Sequence, residues 1–315
     1  MSEEEEELDI KAGTVIDSSK AKYVVMKLLG EGGFGAVYKV YDQANKEKQY
    51  AMKVEKKLET RKDSKLKMEI AILKLVSGQR KQSHFTDIVD RGKKDQFFFL
   101  VMELVGKSLE DLKRAQRDRV FTIGTGLGAS QQCLEACEDL HRHGFIHRDL
   151  KPANYACGLG DKKRVIYILD FGIARKIWNE KNELKTPRAH VKFKGTVRFA
   201  SINCHKNTEL GYKDDCESWF YLMMDLIVKE GLPWRRLTEK GEVLKLKDEC
   251  RKEKKELLFG TVKCKEELWK ILDYIDGQKY HDKMDYGYVY KMLGEAAKAG
   301  GTSLDDPYDW EKTES

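Results

Sequence analysis

The chain carries the sequence HRDLKPAN at residues 147–154, and the sequence DFG follows at residues 170–172. Together the two segments supply a carboxylate, a lysine close to it, an amide and a second carboxylate. A hydrophobic run, residues 165–169, leads into the second segment. These groups occur in the order that phosphoryl transfer from ATP requires. One such motif could arise by chance, but two in this order indicate a phosphotransferase.

Four side chains of these segments have expected chemical roles. Asp149 would accept a hydrogen bond from the substrate hydroxyl and orient it, and Lys151 would neutralise charge on the transferring phosphoryl group. Asn154 and Asp170 would hold magnesium. The expected cofactors are therefore ATP and Mg²⁺.

Residues 30–35, with the sequence GEGGFG, have the spacing G-x-G-x-x-G. This spacing alone is a weak signal, because Rossmann-type folds use it between a strand and a helix. Here a strand-like segment, residues 37–41, follows the glycines, which favours a β-turn-β flap that can lie close over phosphates. An ordinary glycine-rich hairpin would leave the spacing unexplained. The loop residues that we expect to bind the nucleotide are Leu29, Gly30, Glu31, Gly32, Gly33, Phe34 and Gly35.

Lys53 lies between apolar neighbours in a predicted strand. A buried lysine is costly without a carboxylate partner. Glu69, on the predicted helix that follows, can supply that carboxylate, and we expect the pair to present Lys53 to the ATP phosphates. The alternative is two unrelated surface charges.

The order of the predicted elements indicates an α+β fold with two lobes. Residues 1–20, which include the acidic block Glu3–Glu7, are predicted to be a flexible arm, because like charges repel and no apolar face needs burial. A segment rich in strands with one helix follows, and helices dominate after Gly106. The predicted boundaries are a small lobe at 21–103, a hinge at 103–106, a helical lobe at 107–310 and a short ordered tail, all within one domain of 21–315.

Individual elements follow from hydrophobic patterning. Residues 97–102 are too continuously apolar for an exposed edge strand. The glycines at 124, 126 and 128 are predicted to make the start of a long helix locally weak, since each costs about 1 kcal/mol relative to alanine. The other predicted elements are strands at 23–29, 36–41 and 49–54, and helices at 66–75, 109–112, 239–258, 266–275 and 288–297.

Composition narrows the class of protein. The chain has 315 residues, 41% hydrophobic and 36% charged, which excludes wholesale disorder. Its acidic start is unlike a secretory signal, and no apolar run is long enough for a membrane span, so a cytoplasmic and also a nuclear location are expected. Seven scattered cysteines indicate reduced thiols. The net charge of +6 favours acidic partners, and a nucleic-acid-binding protein is a weaker alternative that rests on charge alone.

From Tyr23 to about Trp310 the chain resembles a eukaryotic protein kinase. The alanine-proline-glutamate signature of that family is missing, and GTVRFASIN at 195–203 resembles the serine-isoleucine-asparagine variant of the casein kinase I group. The closest resemblance is to the tau-tubulin kinase branch of that group. Further segments that carry this likeness lie at 203–207, 214–218, 232–235 and 308–312.

The resemblance implies a bilobal kinase fold and a set of adenine contacts. Lys151 favours serine/threonine over tyrosine substrates, and Asp215 would hold the backbone of the catalytic loop. The activation segment would be ordered without phosphorylation. The residues expected around adenine are the gatekeeper Met102, the backbone groups of Glu103 and Val105, and the side chains of Val37, Ala51 and Ala156.

The expected partners are protein substrates, with cytoskeletal proteins among the candidates. The enzyme itself is expected to be monomeric. The resemblance further implies a basic pocket for acidic or phospho-primed substrates, to which Arg198 would belong, whereas Thr238 stands where a lysine is expected. The main alternative is a pseudokinase that acts as a binding or scaffold protein. A degraded site usually lacks at least one of six residues that are all present here, namely Lys53, Glu69, Asp149, Lys151, Asn154 and Asp170.

Overall fold

The computed structural model describes residues 8–32, 35–57, 64–76, 78 and 80–312. These residues form two compact units. The first unit comprises the described residues up to Gly78 together with two later segments, Phe85–Val105 and Asp170–Gly172. The second comprises the described residues within 79–84, 106–169 and 173–315.

The first unit is built on a six-stranded antiparallel sheet with the order β1-β2-β3-β4-β6-β5. One helix, α1, contacts β5 and β6. The sixth strand lies between two others, and Phe99, Leu100 and Val101 are buried, which confirms that this apolar run is not an edge. The elements are β1 (Val15–Asp17), β2 (Lys22–Gly32), β3 (Gly35–Asp42), β4 (Asn45–Lys56), α1 (Lys65–Val76), β5 (Ile88–Lys93) and β6 (Phe97–Glu103).

The strand β1 corrects the prediction of a flexible arm over residues 1–20. Ile16 pairs with Tyr23 and is buried, and Leu8 and Ile10 pack against the same core. The acidic block is confined to the first nine residues, so the apolar residues after it can bury a face and pair with β2. The block Glu3–Glu7 itself lies outside the described residues.

The second unit is mostly helical, with two small antiparallel strand pairs, β7 with β10 and β8 with β9. Its central helix α5 is buried over nearly its whole length and contacts α3 and α8. The strands are β7 (Phe145–Ile146), β8 (Tyr155–Cys157), β9 (Ile166–Ile168) and β10 (Arg175–Lys176). The helices are α2 (Leu109–Arg114), α3 (Ile123–His141), α4 (Ile202–His205), α5 (Tyr212–Ile227), α6 (Lys240–Glu249), α7 (Lys255–Phe259), α8 (Lys265–Gly277) and α9 (Tyr286–Ala299). The sheet in one unit and the helices in the other confirm the α+β class.

The predicted helix at 239–258 was wrong as a single element, because it divides into α6 and α7. The turn between them contains Arg251, whose guanidinium contacts Glu217 at 3.2 Å and Asp276 at 3.0 Å. These ion pairs reach other helices and favour the break, although local propensity would allow a continuous helix. In the predicted C-terminal tail, Tyr308 and Trp310 are buried.

The glycines at the start of α3 are packing positions. A Cβ atom on Gly126 would lie 2.1 Å from Ile227 Cγ2 of α5. A Cβ atom on Gly128 would lie 2.8 Å from the Leu304 carbonyl oxygen of the C-terminal tail. The helix therefore makes close contacts on two faces at these glycines, and the weakness of its first turns stays a prediction. Among the described residues, no helix combines the length and the apolar character that crossing a membrane would need.

Candidate active site

In the first unit, strand β4 and helix α1 bring Lys53 and Glu69 together. The Lys53 Nζ atom lies 2.6 Å from Glu69 Oε2 and 3.3 Å from Asp170 Oδ1. Both Lys53 and Glu69 are buried. Burial acts to lower the pKa of Lys53, but the charges of Glu69 and Asp170 outweigh it and raise the pKa. The lysine is thus held as an ammonium group between two carboxylates.

The expected nucleotide-binding residues of the first unit lie on β2, β3, β4 and β6. Gly35 has φ of +124°, and a Cβ there would lie 1.9 Å from the Val54 carbonyl oxygen, so this position requires glycine. Ala51 pairs with Met102 across β4 and β6, and both are buried. Val37 pairs with Lys53. Leu29, Gly30, Glu31 and Gly32 lie in β2, Glu103 ends β6, Val105 follows it, and Gly33 and Phe34 lie outside the described residues.

In the second unit, the catalytic loop assembles Asp149, Lys151 and Asn154 with Thr196. Thr196 donates its hydroxyl hydrogen to Asp149 Oδ1 at 2.7 Å, and Lys151 Nζ donates to Thr196 Oγ1 at 2.8 Å. Lys151 Nζ also lies 3.3 Å from Asp149 Oδ2. Asn154 Nδ2 donates to the Asp149 carbonyl oxygen at 2.8 Å. The contacts fix the Asp149 carboxylate next to a cation.

No role for Thr196 is predicted from the sequence, although it lies in the segment 195–203 that carries the family resemblance. The Thr196 hydroxyl contacts both Asp149 and Lys151, although Thr196 follows them in the chain by 47 and 45 residues. No local pattern marks such a contact, because it depends on the course of the activation segment, defined here as residues 173–200. Ala156, the predicted adenine contact of the second unit, is buried in β8.

Asp215, at the start of α5, holds the backbone of the catalytic loop, as the family resemblance predicts. Its carboxylate accepts hydrogen bonds from the backbone amides of His147 at 2.7 Å and Arg148 at 2.9 Å. It also contacts His141 Nε2 at 2.8 Å. Burial acts to raise the pKa of Asp215, but the His141 contact lowers it overall. Arg148 has φ of +71°, and the two amide contacts hold this unfavourable backbone conformation.

The residues expected to hold Mg²⁺ have suitable atoms. Asn154 donates through Nδ2, so its Oδ1 atom remains the candidate ligand for a cation. Asp170 supplies carboxylate oxygens, and its Oδ1 accepts a hydrogen bond from the backbone amide of Gly172 at 3.1 Å. Amide and carboxylate oxygens suit Mg²⁺. Cys137, His141 and Asp215 also form a buried cluster, but the Asp215 oxygens already accept backbone amides.

Two side chains that are not predicted from the sequence bind the end of the activation segment. Lys247 of α6 is buried, and its Nζ donates to the carbonyl oxygens of Val197 at 2.9 Å and Ala200 at 2.6 Å. Glu217 of α5 accepts the backbone amide of Ile202 at 2.9 Å. Neither residue could be distinguished by sequence from the many charged residues of these helices.

Some basic residues near the activation segment are exposed or partly exposed, and others are engaged. Arg198 donates through Nη2 to the Arg235 carbonyl oxygen at 3.2 Å. The Lys240 ammonium lies 4.3 Å from the centre of the Phe193 ring. Arg188 forms an ion pair with Glu209 at 2.6 Å, so its charge is already compensated. Thr238 is exposed in the loop before α6.

Comparison with known proteins gives the family. Residues 23–287 match the protein kinase domain. The serine/threonine-protein kinase spe-6 of Caenorhabditis elegans is 32% identical over 311 residues, which are 96% of this chain and 80% of that protein. A probable serine/threonine-protein kinase of Dictyostelium discoideum is 32% identical over 305 residues, and the aligned part covers 95% of this chain but 58% of that relative. The chain belongs to the protein kinase family and is a serine/threonine protein kinase by its domain and its relatives.

Proposed function

We propose that this chain transfers the γ-phosphoryl group of ATP to serine or threonine hydroxyls of protein substrates. The observation that carries the proposal is the contact set in which Thr196 and Lys151 surround the Asp149 carboxylate. This arrangement places a fixed acceptor for a hydroxyl proton beside a fixed positive charge. Both are needed when a hydroxyl attacks a phosphoryl group.

The chemistry divides among the residues as follows. Asp149 orients the substrate hydroxyl and accepts its proton, while Lys151 stabilises negative charge on the transferring group. In the first unit, Lys53 is held by Glu69 and binds the ATP phosphates. Asn154 and Asp170 would bind Mg²⁺, which when bound neutralises phosphate charge. Protein kinases generally use both ATP and Mg²⁺.

The rival function is a pseudokinase that binds partners without phosphoryl transfer. The two functions differ in the effect of Asp149→Asn, which preserves the size of the side chain but removes its charge. We expect transfer to casein to fall with little change in thermal stability. Asp161→Asn is a matched control, because Asp161 is an exposed aspartate of the same unit. Equal transfer by the wild type and Asp149→Asn would refute the assignment.

We also propose membership of the casein kinase I group, in its tau-tubulin kinase branch, with a preference for acidic or phospho-primed substrates. The support is the segment GTVRFASIN at 195–203 and the basic residues Arg198, Arg235, Arg236 and Lys240 near it. Thr238 departs from the pattern expected there. A peptide library with primed, acidic and neutral members tests the preference, and equal kcat/KM for the three classes would contradict it.

We also propose that the enzyme is monomeric and that it works in a reducing compartment, the cytoplasm and also the nucleus. All seven cysteines lie in the described part of the chain, where they are free and buried. Such thiols suit a compartment that keeps them reduced. Sedimentation equilibrium would test the monomer.

A further inference from the structure

Three arginines of the catalytic loop and the activation segment act on one another through their charges. Arg148 belongs to the catalytic loop, Arg175 to β10 and Arg188 to the activation segment. We call them the arginine cluster. Burial lowers the pKa of Arg148, and the neighbouring charges of Arg175 and Arg188 lower it further. Positive charges are thus crowded here. Asp215 compensates part of this charge, and a second anion compensates more of it.

The chain supplies that anion through Glu209, in the loop between α4 and α5. Its side chain is only 3% exposed, although it is a carboxylate. Arg188 binds it through both ends of the guanidinium, with Nε 2.6 Å from Oε2 and Nη2 3.0 Å from Oε1. Arg175 Nη2 lies 3.5 Å from Oε2. A forked contact of this kind fixes orientation as well as charge.

The protonation state of Glu209 agrees with this function. Burial acts to raise the pKa of Glu209, but its hydrogen bond with Arg188 and the charges of Arg175 and Arg188 lower the pKa below its ordinary value. The carboxylate is therefore ionised at neutral pH. Removal of its charge would leave the arginine cluster without this compensation.

Glu209 acts at the point where the activation segment meets the body of the second unit. Uncharged contacts in the same stretch join Val191 N to the Asn207 carbonyl oxygen at 2.9 Å and the Tyr280 hydroxyl to the Lys185 carbonyl oxygen at 2.9 Å. The backbone amide of Arg188 also points to Glu209, with N and Oε2 3.4 Å apart. The Lys185 Nζ atom also donates to the Lys176 carbonyl oxygen at 3.1 Å. Glu209 is the buried carboxylate among these contacts, and its forked ion pair with Arg188 helps to hold residues 185–191.

We propose that Glu209 is a positioning residue, a built-in counter-anion that orders the activation segment and so keeps Thr196 against Asp149. Added phosphate groups order such segments in other kinases by pairing with arginines. Here a carboxylate of the chain pairs with Arg188 and Arg175 instead. The order of the segment then depends on Glu209 and needs no added phosphate. This inference rests on the proposed function only for its effect on activity.

The test compares Glu209→Gln with Glu180→Gln, an exposed glutamate of the same segment that lies outside the arginine cluster. Hydrogen exchange of the unphosphorylated protein is followed at the amides of Lys185, Arg188 and Val191. We expect exchange at least tenfold faster in Glu209→Gln, with wild-type rates in Glu180→Gln. We also expect kcat/KM to fall about tenfold in Glu209→Gln. Wild-type exchange in Glu209→Gln would overturn the proposal, whatever its activity.

If Glu209→Gln fails to fold, Arg188→Gln tests the same ion pair. Arg188 is the half-exposed partner, so its substitution removes the pair without changing the buried carboxylate. It should accelerate exchange at the same amides, and unchanged exchange would overturn the proposal. Hydrogen exchange does not depend on catalysis. Accelerated exchange in a chain without phosphoryl transfer would therefore reject the proposed function while supporting the structural part of this inference.

Discussion

The buried ion pair of Lys53 and Glu69 makes a quantitative prediction about the first unit. Glu69→Gln removes one charge and keeps the shape of the side chain, and Lys53→Met removes the other. At 2.6 Å, two unit charges attract by about 6 kcal/mol at an effective dielectric constant of about 20. The cost of desolvating both groups offsets much of this attraction.

Each single change should therefore lower the free energy of unfolding by about 3 kcal/mol, because it leaves one charge buried without the opposite charge of Lys53 or Glu69 beside it. Asp170, 3.3 Å from Lys53, moderates the loss in Glu69→Gln. The double variant should lose little more than either single variant. The coupling energy from this double-mutant cycle should therefore be about 2–3 kcal/mol.

Urea unfolding of the wild type, the two single variants and the double variant measures the coupling. Lys265 and Glu256 provide a matched control, because their charged atoms are 2.7 Å apart but both side chains are well exposed. That cycle should give no measurable coupling. Equal coupling in the two cycles, or none for Lys53 and Glu69, would refute the argument that burial makes this pair strong.

Further predictions concern packing and protonation. Gly126→Ala should lower the free energy of unfolding by about 1–3 kcal/mol, because the new Cβ would lie 2.1 Å from Ile227 Cγ2. A Cβ atom on Gly294 of α9 would meet no described atom within 4 Å apart from its chain neighbours and the backbone of its own helix. Gly294→Ala should therefore raise the free energy of unfolding by about 0.5–1 kcal/mol, and urea unfolding that gave the same sign for both variants would contradict this. Burial lowers the pKa of Lys247 from 10.5 to about 7, so the unfolded chain binds more protons between pH 7 and 10. Between pH 7 and 10 the free energy of unfolding of the wild type should therefore rise relative to that of Lys247→Met, by up to about 1.4 kcal/mol per pH unit. The same dependence of the free energy of unfolding on pH in both proteins would contradict this prediction.

Features with a local cause were accessible from the sequence. The apolar run at 97–102 had to be an interior strand, and the apolar spacing of residues 66–75 required the helix α1. The residues Lys53 and Glu69 could be paired because a buried lysine needs a carboxylate and the next helix offers one. Such inferences need only local periodicity and charge balance.

Features that depend on distant contacts were not accessible. Glu209 meets Arg188 across 21 residues and Lys247 reaches Val197 across 50, and no local pattern marks either residue. The glycines of α3 were assigned to flexibility because helix propensity considers only the isolated helix. In the folded chain, α5 and the C-terminal tail approach α3 closely because these glycines have no Cβ atom. The break between α6 and α7 likewise comes from ion pairs with other helices.

Radiolabel transfer from γ-labelled ATP to casein, with Mg²⁺ present, tests the proposed function most directly. The wild type and Asp161→Asn should both label casein. Asp149→Asn should lose about 10²–10⁴-fold in rate, because it lacks the carboxylate that accepts the hydroxyl proton. Transfer by Asp149→Asn at the wild-type rate, or none by the folded wild type, would contradict the assignment of a protein kinase activity to this site.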